Sequence, residues 1–115
     1  MKSHFVYHLC QKETWRRAVG DGEYAGSELD LRDGFIHFSA AGQVKQTARL
    51  HLAGVKGLVL LKVNANKLGD SLLWETSRSG ELFPHLYGRL APDLVDSATE
   101  LQIDGNGNHI FPAIE

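Results

Sequence analysis

Alternation of bulky and polar side chains is the first signal along the chain. Residues 5–10 (FVYHLC) repeat with a period of two and predict a strand with Tyr7 and Leu9 on one side and His8 and Cys10 on the other. The spacing then turns helical. Residues 12–19 predict a short helix that buries Trp15, Ala18 and Val19 and stops at Gly20 and Gly22. A loop through Tyr24 and Ser27 to Leu31 follows, and Gly34 opens a second strand, FIHFS, at 35–39. Ser39 is placed to cap a helix with an inward stripe of Ala41, Val44, Ala48 and Leu52, closed by Gly54. The apolar run GLVLLKV (57–63) is the strongest strand signal and implies burial on both faces. After a loop or short helical turn at 64–71 come a strand at 72–75 (LLWE), the turn SRSG and an extended segment at 81–88 (ELFPHLYG). Pro84 places that segment at a sheet edge or a bulge, because proline donates no ladder hydrogen bond. A turn at 92–94 leads to a last strand near 98–103, and GNGNH reads as a turn or a loosened tail. The order, β-α-β-α-β and then further strands, is an α+β arrangement whose long loops line a site.

The 115 residues allow a single domain, 1–115, and exclude an eight-fold βα barrel or a dinucleotide-binding fold with a separate substrate domain. With 43% hydrophobic residues a real core is affordable. A net charge of -2 disfavours a basic nucleic-acid coat protein and leaves room for a local anion cleft. One cysteine, Cys10, makes no internal disulfide, so a reducing cytoplasm is the expected setting. The N-terminus lacks the apolar core of a signal peptide, and no apolar stretch approaches the ~20 residues of a membrane span.

Six histidines carry most of the candidate chemistry. His4, His51 and His109 fall at a chain end, a helix surface and the tail. His8, His37 and His85 lie in otherwise apolar strands, where an imidazole must be hydrogen-bonded or serve a site. Taken singly, each reads best as a satisfied core residue; three together favour a site. No His-x-His, HExxH or cysteine partner is present, so no metal is expected. No GxSxG elbow, phosphate-binding loop or GxGxxG occurs either. Cys10, two residues from His8, reads as a small buried thiol. Glu75 beside Trp74, and Glu81 at the head of the His85 segment, are alternative carboxylates for a cleft or else solvated strand ends. Arg32, Arg49, Arg78 and Arg89 are the available anion clamps, Arg89 being nearest the histidine segment and most of the others reading as solvated surface residues.

The blocks YHL, Trp15, GFIHFS, AAGQV, LVLLKV, WE and GELFPHLYG, in that order, resemble a family of small, mostly bacterial proteins, domain-of-unknown-function number nine-five-two. More distantly, the block from His8 through Val63 resembles the core of the NAD-using RNA 2′-phosphotransferases. Those carry a first-strand Tyr-His-Gly, a strand ending Val-His-Leu-Ser, a helix, and an apolar strand closing with Glu-Val-Asp. The counterparts here are Tyr7-His8, Ile36-His37-Phe38-Ser39, the 40–53 helix and Leu61-Lys62-Val63-Asn64. The resemblance implies an ADP-ribosyltransferase-like fold, a split pair of antiparallel sheets gripping NAD, with two early helices. It implies that His8 contacts the ribose or phosphate of the adenosine half, and that His37 and Ser39 stand near the nicotinamide or the acceptor. It leaves Glu75, Glu81 and His85 as alternatives for the third site, Trp74 or Tyr87 to stack on a ring, and Arg89 to hold phosphate. Leu9 stands where those enzymes have glycine, which limits backbone approach to a phosphate. The implied partner is a small nucleotide of NAD or ADP-ribose type, with no membrane and with RNA 2′-phosphate as the one nucleic-acid option. The implied activity is ADP-ribosyl or 2′-phosphate transfer; the alternative is a non-catalytic nucleotide-binding module on the same scaffold.

Overall fold

The computed structural model describes residues 4–77 and 80–114. The expected alternation becomes β1 (Phe5–Gln11), which feeds directly into α1 (Lys12–Asp21). The double-sided apolar run becomes β4 (Leu58–Asn64), paired antiparallel with β1 from Phe5 opposite Asn64 to Gln11 opposite Leu58. β3 (Ser39–Ala40) joins the far side of β1, and β7 (Val95–Glu100) the far side of β4, giving the order β3-β1-β4-β7. A second sheet has the order β2-β6-β5, from β2 (Ile36–His37), β6 (Leu82–Leu86) and β5 (Leu72–Thr76). The last strands, β8 (Gln102–Ile103) and β9 (His109–Ile110), form a small hairpin.

The two faces of β1 pack as its alternation requires. Val6 and Cys10 join Val59, Leu61 and Val63 against Ile36 and Leu86 of the second sheet and Phe38 between the sheets. Tyr7 and Leu60 lie on the opposite face under Val44 of α3 (Val44–His51), with Leu101 completing that cluster. Each fully buried aliphatic side chain in these layers contributes about 1.5–3 kcal/mol. β4 is therefore buried on both sides, as its composition demands.

Several local expectations change. Val19 is 54% exposed, because α1 presents only Ala18, with Trp15 partly buried, to the core. The stretch expected as one strand at 35–39 splits at Phe38: β2 pairs with β6, whereas β3 pairs with β1. Phe38, fully buried, is the hinge between sheets, and its N–H donates to the Pro84 carbonyl at 2.9 Å. Pro84 lies in the central strand of its sheet, not at an edge. A residue's N–H and C=O point to the same neighbour in an antiparallel ladder, so the missing donor faces the spot where β2 has ended. Ser39 does not cap α3. It lies in β3, four residues before Gln43, which occupies the cap position without a side-chain cap bond. Leu52 is only partly buried and follows the end of α3. GNGNH is an ordered hairpin turn, in which Asp104 Oδ1 accepts from the Asn106 and Asn108 N–H groups.

The largest departure is α2 (Glu28–Asp33), inside the segment expected as a loop. Its Leu29 and Leu31 are exposed, so no apolar face forms it. A capping box forms it instead: Ser27 Oγ accepts from the Asp30 N–H while Asp30 accepts from the Ser27 N–H. No helix among the described residues is long and apolar enough to cross a membrane.

Candidate functional site

β1 delivers His8 to the face that meets the second sheet, and the sheet switch at Phe38 brings His37 over it. Pairing of β2 with β6 sets His37 directly opposite His85. All three histidines, with Ser39, Asp30 and Phe83, line one cleft of about 560 Å³ that reaches past β1 to Thr47 and His51 of α3. That size suits part of a small-molecule ligand.

The three rings are held differently. His8 is 4% exposed and both its nitrogens are used. A carbonyl only accepts, so Nδ1–H donates to the His37 C=O at 2.6 Å. Nε2 lies 2.7 Å from the Tyr24 hydroxyl, which donates to it. Burial holds the His8 pKa below its ordinary value against the pull of Asp30, which keeps the ring neutral and this tautomer in place. The Cys10 thiol reaches the same tyrosine oxygen, and burial pushes that thiol up to about 12 and the Tyr24 phenol up as well. Cys10 is thus an inert thiol in a satisfied network.

Asp30 is the hub of this network and was not among the expected site residues. It is 2% exposed and accepts from the Ser27 N–H, Ser27 Oγ, the His37 N–H and His37 Nδ1, the last at 2.6 Å. Burial alone would raise its pKa, but the His37 hydrogen bond, the nearby His8 and the backbone N–H donors outweigh it and hold the carboxyl at about 2. Gly26 permits this packing. Its φ is +106°, and a Cβ there would lie 2.5 Å from the Asp30 Cβ. The S-x-x-D spacing of Ser27 and Asp30 was the available signal. His37 itself is 31% exposed; its Nε2 lies 3.1 Å from Asp33 Oδ2, so both ring nitrogens face carboxylates.

His85 is buried yet only half committed. Its Nδ1–H donates to Glu75 Oε1 at 2.8 Å, and its ring stacks on Phe35 with centroids 4.1 Å apart. Nε2 has no partner among the described residues. The Tyr87 hydroxyl donates to the same Glu75 oxygen at 2.8 Å. These two donors, His85 first, hold the Glu75 pKa low, and the carboxylate raises that of Tyr87.

The other expected residues divide. Ser39 lines the cleft and bonds Thr47, and His51, expected as a bland surface residue, lines it too. Glu75 stands behind His85 instead of entering the cleft. Tyr87 packs against Phe35 and outside the cleft lining. Trp74 is 48% exposed on the opposite face of β5 and does not line the cleft, because its pairing with Pro84 turns it away from His85. Glu81 lies at the surface beside Gln43. Arg89 pairs with Glu23 and lines a different cavity near Tyr24, and Arg32 pairs with Asp33. Arg78 lies outside the described residues. Gln43 went unnoticed in the sequence: its side chain accepts from the Ala40 N–H and donates to the Leu82 carbonyl, clipping one sheet to the other. No group of three or more His, Cys, Asp or Glu among the described residues is arranged to hold a metal.

A family model described as "Protein of unknown function (DUF952)" matches residues 9–98. The chain belongs to the DUF952 family. The match begins at Leu9, one residue after His8, and ends within β7, so it includes Asp30, His37 and His85 but not His8. Its fold is similar to the crystal structure of protein CC0527 from Caulobacter crescentus, at 40% identity and TM-score 0.89, covering 92% of this chain and 93% of that one. The solution structure of CC0527 gives 41% identity and TM-score 0.83, over 91% and 90% of the two chains. No curated protein matches.

Proposed function

We propose that the cleft binds the ribosyl part of an NAD- or ADP-ribose-type nucleotide and that this DUF952 protein is a transferase of ADP-ribosyl or 2′-phosphate groups. The observation that carries the reading is the His85–Glu75 pair. A carboxylate fixes one ring nitrogen, and the other is left for a ligand in the cleft. The split antiparallel sheets and the Tyr7-His8 and Ile36-His37-Phe38-Ser39 strands support an ADP-ribosyltransferase-like assignment of the fold.

In the proposed step an acceptor oxygen forms a bond to C1′ of the nicotinamide ribose. The C1′–N bond breaks and its electron pair leaves with neutral nicotinamide. The acceptor's proton, where it carries one, passes to His85 Nε2. His8 keeps a positioning role: with both nitrogens used, it orders Tyr24 and β2 and does not grip the ribose. Among the described residues no Lys or Arg lines the cleft, so its lining supplies no cationic side chain for the pyrophosphate.

A second reading, a nucleotide-binding module without catalysis, is favoured by one observation. Asp30 is the only acidic residue among the described lining residues, and its oxygens are already committed. Titration calorimetry with NAD, ADP-ribose and a 2′-phosphorylated nucleotide, paired with nicotinamide release by wild type and His85→Ala, separates the readings. Saturable binding with release that fails in His85→Ala supports the transferase. Binding without release in the wild type supports the module. No heat at millimolar ligand overturns both.

A further inference from the structure

On the far side of α3 from the cleft, a second cavity of about 210 Å³ lies between that helix and the β8–β9 hairpin. It is lined by Lys45, Ala48 and Arg49 of α3 and by Asn108, His109 and Phe111. We propose that this cavity is an oxyanion site for a phosphate group, independent of the nucleotide reading of the cleft.

The cations of the chain sort unevenly. Lys12, Arg16, Arg32, Lys67 and Arg89 each pair with a carboxylate, and Lys62 lies over the Phe5 ring. Lys45, Arg49, Arg17 and Lys56 have no carboxylate partner among the described residues, and of these Lys45 and Arg49 stand one helical turn apart on the wall of one cavity. Helix electrostatics accounts for Arg49, in the last turn of α3. It does not account for Lys45, which sits in the first turn, where the dipole disfavours a cation. The opposite wall is already fixed. His109 Nε2–H donates to the Val55 carbonyl at 2.8 Å, which locks its ring, and the turn at Asp104 orders the Asn108 backbone and leaves its side-chain amide without a partner among the described residues. Asp104 is the nearby acid; Oδ1 is occupied by two backbone N–H groups, and the residue is not part of the lining. Two cations and an amide on the lining of one cavity are the donor types a phosphate takes, and the small Ala48 side chain lies between the two cations on the helix. The volume suits inorganic phosphate, pyrophosphate or the terminal phosphate of a larger molecule.

The test is a titration of the ¹⁵N-labelled full chain with inorganic phosphate, pyrophosphate and a 5′-phosphorylated dinucleotide at constant ionic strength, with chloride as control. Saturable shifts at Gly107, Asn108 and His109, absent with chloride and lost in Lys45→Ala/Arg49→Ala, are expected. Tightest binding of the dinucleotide identifies a phosphoester ligand, and equal binding of inorganic phosphate a free one. Both changed side chains are exposed, and a dispersed spectrum of the variant verifies its fold. As a second variant, Lys45→Arg/Arg49→Lys retains binding. Shifts that fail to saturate, that appear equally with chloride, or that persist in the double alanine variant overturn the site.

Discussion

His8 and His85 occupy one cleft and differ in what is left over. At His8 every polar atom has a protein partner: a carbonyl on one nitrogen, Tyr24 on the other, and Asp30 close by. At His85 a single carboxylate fixes one nitrogen and the other has no partner among the described residues. Both rings are buried, and both sit in apolar strands, so burial alone does not tell a structural histidine from a chemical one. Counting hydrogen-bond capacity does. A fully satisfied ring rigidifies the scaffold, and a half-satisfied ring beside a cavity is poised for a ligand.

That contrast is broken most severely by removing each ring's partners. On the transferase reading, His85→Ala is expected to lower the proposed turnover by ~10²-fold or more, with the cooperative unfolding transition retained. Equal loss of activity and fold would place His85 with His8. On the other side, Asp30→Ala strips the acceptor from Ser27 and His37 and removes the Asp30 side-chain half of the α2 capping box; chemical denaturation should show a loss of ~3–5 kcal/mol. A change below ~1 kcal/mol would remove Asp30 as the hub.

Acid sharpens the comparison next. The Asp30 carboxyl is held at about 2 against an ordinary 3.8, so its contribution is whole above that ordinary value and vanishes as pH falls through about 2. His8 is held below 6.5, so the unfolded chain takes up that proton first and stability begins to fall as pH drops under 6.5. Unfolding free energy measured from pH 8 to pH 2 should decline in two stages, the Asp30 stage amounting to about 2 kcal/mol. Stability that rises on acidification would contradict both assignments. The mildest change, Tyr24→Phe, leaves His8 Nε2 without its donor and should cost ~1.5 kcal/mol by denaturant titration, with the proposed turnover at His85 little altered. Loss of turnover without loss of stability would make Tyr24 part of the chemistry.

Much of this site was legible in the chain. The face assignment of His8 and Cys10 followed from period-two alternation, the double burial of β4 from its apolar run, and the choice of His8, His37 and His85 from imidazoles set in otherwise apolar strands. What was not legible depends on contacts that no local pattern encodes. α2 has no apolar stripe and is held by Ser27 and Asp30. The split at Phe38 requires Pro84 from a strand more than forty residues on. Trp74 and Arg89 looked suited to a cleft by type, but strand pairing and the Glu23 ion pair direct them elsewhere.

The most direct measurement is a long-range ¹H–¹⁵N spectrum of the histidine side chains during titration with ADP-ribose. Saturable shifts at His85 Nε2 and at His37 are predicted, while His8 keeps its neutral Nδ1–H tautomer throughout. Shifts confined to His8, or no shift at any histidine in the cleft, would contradict the assignment of roles.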